Sequence, residues 1–66
     1  MNNEAKLPKT QAATLAEMRR IKATGGAPVQ GGYQRDGINL AALAPLRKKG
    51  LIRHVTIDGT LYYEAV

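Results

Sequence analysis

Side chains able to do chemistry are few in this chain, and most of them are cationic. The densest group is Arg47-Lys48-Lys49, closed by Gly50 and followed shortly by Arg53. Lysine and arginine together number 10 against 5 acids, for a formal net charge of +5. That balance suits a polyanionic partner, most simply nucleic acid, because phosphate is held by charge whatever the sequence of bases. The plainer alternative is a solubilising helix end, where cations also complement the helix dipole. Arg19, Arg20 and Lys22 read as a second, solvated basic face that can extend a positive stripe.

Covalent and metal chemistry find little material. There is no cysteine and no serine, and His54 is the single histidine, so neither a thiolate zinc site nor an activated nucleophile is expected. The stretch GGAPVQGG is glycine-rich, but no Gly-Lys-Ser/Thr follows it, so it does not read as a phosphate-binding loop. No enzyme activity, cofactor or metal is expected. No apolar run approaches the ~20 residues of a membrane span. The lack of cysteine fits a cytoplasmic protein. Met1 and the short polar start suggest a whole small gene product.

At 66 residues the chain has room for one domain, which buries only about 60% of its unfolded surface. Residues 1–8 lack apolar periodicity and read as a flexible tail; residues 9–66 read as the domain. Thr10 is placed to cap a first helix, TQAATLAEMRRIKATGG, whose stripe is Ala12, Leu15, Met18 and Ile21 with Lys22 alongside. Glu17 and Arg20 form an exposed pair on it, and Gly25-Gly26 end it. The following PVQGGYQRDGIN is too rich in glycine for a regular helix. It reads as a structured loop with at most one helical turn, in which Val29, in a short strand after Pro28, and Tyr33 point inward.

DGINLAALAPLRKKG reads as a second main helix, capped by Asp36 or Asn39 and ended by Gly50. Leu40, Leu43 and Leu46, with Ala44, form its buried face; Ala41, Pro45, Lys48 and Lys49 lie opposite. Pro45 either kinks this helix or divides it into two short pieces near Ala44. Asp58-Gly59 between two β-forming runs then signals a hairpin with a two-residue turn. That turn pairs Ile57 with Thr60, Thr56 with Leu61, Val55 with Tyr62, His54 with Tyr63, and Arg53 with Glu64. Ile52, His54, Thr56, Leu61, Tyr63 and Ala65 share the face expected to dock on the helices. His54 reads as a half-buried strand residue beside Tyr63.

The order helix, loop, helix with a basic end and glycine, then hairpin resembles the winged helix-turn-helix domain. LRKKGLI followed by a hairpin ending LYYEAV is similar to the end of the recognition helix and the wing of MarR-like and ArsR-like regulators. The resemblance covers residues 10–66 and implies an α+β fold with helices packed on a C-terminal hairpin. It departs from the pattern between Pro28 and Asn39, where a single turn or a loop stands in for the usual second helix. No helix follows the wing.

The resemblance further implies a small DNA-binding protein, a transcriptional regulator or accessory factor of the size found in phages and other mobile elements, with double-stranded DNA as partner. Its recognition helix would face the major groove with Gln34, Arg35, Asn39, Ala41 and Ala42. Arg35 could read a guanine edge, and Gln34 or Asn39 an adenine. Asn39 serves equally as a helix cap, and Arg35 as a solvated loop charge. Lys48, Lys49, Arg53 and Arg47 would meet phosphates, with Thr60 at the wing tip beside Asp58, which repels them. Two alternatives are a module of the same fold docking on a host protein assembly, and an RNA-binding protein.

Overall fold

The chain folds, in a computed structural model that describes residues 6–66, into two helices against a three-stranded antiparallel sheet. Helix α1 spans Lys9–Ala23 and strand β1 Val29–Gln30. A 3-10 turn at Leu40–Ala42 leads into helix α2, Leu43–Lys48. Strands β2, Ile52–Ile57, and β3, Thr60–Ala65, complete the sheet in the order β1-β3-β2. The architecture is α+β, as expected. Most of the tail expected at 1–8 lies outside the described residues, but Leu7 packs against the core.

Helix α1 opens without a side-chain cap: Pro8 holds the cap position, and the Ala12 N–H donates to the Pro8 carbonyl at 2.9 Å. Thr10 is therefore not the cap. Leu15, Met18 and Ile21 are buried as the periodicity requires, but the fourth inward position is Thr14, and Ala12 is exposed. The Thr14 hydroxyl accepts the Asn39 N–H at 3.1 Å, which fastens α1 to the start of the second helical region. Both helices end in the same way. The N–H groups of Gly25 and Gly26 bond back to Lys22 and Ile21, and those of Gly50 and Leu51 to Arg47 and Leu46. Gly25 and Gly50 take positive φ, the conformation that glycine adopts without strain.

Two tight turns replace any helix between Pro28 and Asn39. The Tyr33 N–H donates to Gln30 and the Ile38 N–H to Arg35, with Gly32 and Gly37 at positive φ inside the respective turns. Val29 is buried, as expected. Tyr33 is 65% exposed, and Ile38 takes the inward place assigned to it. The second helical region is two pieces rather than one kinked rod. A proline ring clashes with the carbonyl four residues back, so a continuous α-helix through Ala41 and Pro45 is blocked. In the first turn of α2 its missing N–H costs nothing. A 3-10 turn advances about 120° per residue instead of about 100°. The phase therefore slips: Ala42 is buried at 3% and Ala44 is exposed, the reverse of the expected assignment.

The β2–β3 hairpin has every pairing expected of it, and Ile52 opposite Ala65 besides. Asp58 and Gly59 have φ of 50° and 79°, a type I′ turn whose twist matches that of the strands. Short β1 adds Val29 beside Tyr63 and Gln30 beside Tyr62. The docked face is buried only at its base, through Ile52 and Ala65, with Tyr63 packed against the core. Thr56 and Leu61 on that face, and Ile57 on the other, are exposed, so the hairpin projects beyond the body. His54 is exposed and meets the Tyr63 ring edge-on at 4.8 Å between centroids.

Candidate nucleic-acid interface

The basic end of α2 is the most coherent charged surface. Ala41, Ala44, Arg47 and Lys48 are exposed, so the outward side of this region carries small side chains first and cations last. Arg47 and Lys48 make no ion pair or side-chain hydrogen bond among the described residues. Lys49 donates from Nζ to Oε1 of Gln11 at 2.8 Å. That bond lays the end of α2 against the first turn of α1, which contains Lys9 and no acid and is preceded by exposed Lys6. The contact joins residues far apart in the chain, so no spacing in the sequence announces Lys6 and Lys9 as members of this surface. Arg20 and Lys22 do not extend it as free cations: Arg20 pairs with Glu17, and Lys22 donates to the Ala65 carbonyl at 2.9 Å.

The side chains assigned to base reading are mostly committed elsewhere. Arg35 is half-buried and donates from its guanidinium to the carbonyls of Ala27, at 2.7 Å, and Pro28. It binds one end of the loop to the other. Gln34 donates to the carbonyls of Ile38 and Arg35. Asn39 caps the 3-10 turn by accepting the Ala41 N–H at 3.0 Å. Ala42 is in the core and reaches no groove. Of the groove set, Ala41 alone is exposed with no structural duty of its side chain.

On the hairpin, Arg53 donates to Glu64 across the strands at 3.0 Å, which neutralises its charge but leaves its side chain 62% exposed. Thr60 is half-buried next to the turn, and Asp58 at the tip is exposed without an ion pair among the described residues. Between α1, β1 and β3 lies a cleft of about 190 Å³ lined by Met18, Ile21, Val29 and Tyr63. It is smaller than the ~300–1,000 Å³ of typical small-molecule sites. No helix among the described residues is long and apolar enough to cross a membrane. Comparison of the chain with family models, curated proteins and solved structures returns no match.

Proposed function

We propose that this chain is a small protein of winged-helix type that binds double-stranded DNA mainly through its phosphates, acting as a transcriptional regulator or accessory factor. The observation that carries the reading is the exposed cationic cluster of Arg47, Lys48 and Lys49, joined through Gln11 to a first turn of α1 that holds no acid. The element order supports it: helix, short strand, helix, then a hairpin whose second strand pairs with the first strand. Small Ala41 and Ala44 permit close approach of the helical face to a backbone. With Arg35, Gln34 and Asn39 engaged internally, few side chains remain to read base edges, and binding is expected to discriminate weakly among sequences.

Mobility-shift titration with random duplex DNA tests this. Lys48→Glu with Lys49→Glu should weaken binding at least tenfold for every duplex while leaving the circular dichroism spectrum unchanged. Unchanged affinity in a folded double variant would remove phosphate contact at α2 as the mechanism. A second reading, a module that docks on a host protein, is favoured by one feature: Ile57 and Leu61 are about 40% exposed at the hairpin tip, beside an acid that repels phosphate. Retention of a stoichiometric protein from nuclease-treated extract, lost in Ile57→Ser, would support that reading.

A further inference from the structure

The bond between Lys49 and Gln11 fixes the chemistry of both side chains as well as the contact of two helices. An ammonium can only donate, so the atom that Lys49 occupies, at 2.8 Å, is the oxygen of the Gln11 carboxamide. The amide nitrogen, Nε2, is bonded to the same carbon and therefore stands beside the ammonium with its donors unused. No hydrogen bond to Nε2 exists among the described residues. Gln11 is half-buried, yet no side-chain nitrogen or oxygen among the described residues is buried without a partner, so Nε2 meets solvent. Lys49 is exposed, and an ammonium has three donors, of which Gln11 takes one. Free donors from α1 and from the end of α2 thus lie next to each other, held in place by a bond already made. A free carboxamide suits donors and acceptors alike; with its oxygen engaged, this one is left to donate. Phosphate oxygens accept only, and groups held ready in this way lose less freedom on binding.

We propose that Gln11 is itself a DNA-contacting residue, its Nε2 donating to an oxygen of the phosphate that Lys49 also holds. The start of α1 and the end of α2 then grip one backbone phosphate together. The inference rests on the phosphate-binding reading of the α2 end and extends it to a neutral side chain on another element. Gln11 adds a directed hydrogen bond and no charge, so it strengthens binding without releasing a counterion. That property separates it from the cations around it.

Gln11→Met is unbranched and suits a helix but has no amide. With its circular dichroism spectrum unchanged, it should bind a labelled random duplex about threefold to tenfold more weakly in anisotropy titrations. The slope of log affinity against log salt should stay that of wild type, whereas Lys49→Met should lower its magnitude by about 0.9. Loss of the hold on Lys49 would weaken binding too, and the Lys49→Met background separates the two effects. There Gln11→Met should cost about a further two- to threefold. No further cost in that background would mean that Gln11 acts only by holding Lys49, and would overturn the proposal. So would wild-type affinity in the folded Gln11→Met variant while Lys48→Glu with Lys49→Glu still weakens binding; the phosphate reading would then stand without Gln11. A wild-type chain that binds no duplex, or a double variant with undiminished affinity, would remove both.

Discussion

Leu46 has no exposed surface, and Met18 and Ile52 are each 2% exposed beside it in the same core cluster. Truncation of such a residue leaves a cavity, and Leu46→Ala should cost about 2–5 kcal/mol. A core this small supplies only about 3–5 kcal/mol of net stability, so urea unfolding should find the midpoint of the variant shifted strongly toward zero denaturant. Gly37 is a second sensitive position. Its φ is +81°, and an added Cβ would stand 3.0 Å from the Glu17 Cγ. Gly37→Ala should lower stability by about 1–2 kcal/mol, whereas Gly32→Ala, equally left-handed but with open space around it, should cost less. Glu17 also carries a pH signature. The Arg20 hydrogen bond holds its carboxyl below the ordinary value of 4.5. A depressed folded-state value means that the stabilisation is present above the unfolded value and is lost as pH falls through the folded one. Glu17→Gln should therefore be slightly less stable than wild type at neutral pH, converge with it at low pH, and so show a flatter acid side of the stability profile. Residue burial was legible where one period held, as for Leu15, Met18, Ile21, Leu43 and Leu46. It failed at Ala42 and Ala44, where the 3-10 turn changes the angular step, and at Tyr33 and Ile38, where the loop's turns decide which side chain faces inward.

The elements differ in how much of their shape is written locally. The hairpin is self-contained: a two-residue turn with the correct chirality and an opposite-charge pair at its base fix the register without help from elsewhere. The helix ends are nearly so, because Gly25 and Gly50 stop each helix in the same way. The segment from Pro28 to Asn39 is not. Its path rests on the Arg35 guanidinium bridging to Ala27 and on the Gln34 amide reaching Ile38, both side-chain contacts with no helical or strand period. That is why glycine content excluded a helix there but did not show what would replace it. The start of the 3-10 turn separates two roles for one residue. Asn39→Asp keeps the oxygen that accepts the Ala41 N–H and removes the amide that would donate to an adenine. Asn39→Ala removes both. If Asn39 is a cap alone, thermal unfolding should show Asn39→Ala destabilised by about 1 kcal/mol with Asn39→Asp close to wild type. In that case relative affinities among duplex sequences should not change in Asn39→Asp, beyond a uniform loss from the added charge. A loss confined to particular sequences would give Asn39 a reading role.

At the scale of the whole molecule, charge and shape are unevenly distributed. The chain measures 35 × 20 × 20 Å, with cations concentrated where α2 ends against the start of α1 and the exposed Asp58 at the tip of the projecting hairpin. A net charge of +5 spread evenly would attract DNA diffusely. Concentration of unpaired cations beside Ala41 and Ala44 instead gives a surface that can lie against one backbone, and the distinction is measurable. Each neutralised phosphate contributes about 0.9 to the slope of log affinity against log salt on duplex DNA. Three contacts, from Arg47, Lys48 and Lys49, with Arg53 neutralised by Glu64, predict a slope near −2.7, and so roughly a 40-fold loss of affinity between about 50 and 200 mM salt. Removing Lys48 and Lys49 should reduce the slope by about 2. Lys22→Gln should scarcely change it, since Lys22 is engaged with the Ala65 carbonyl on another side of the fold. A slope that fell equally for all three lysines would mean that net charge alone attracts the DNA, with no particular surface involved. Fluorescence anisotropy of a labelled random duplex, titrated at several salt concentrations with each variant, separates the two cases.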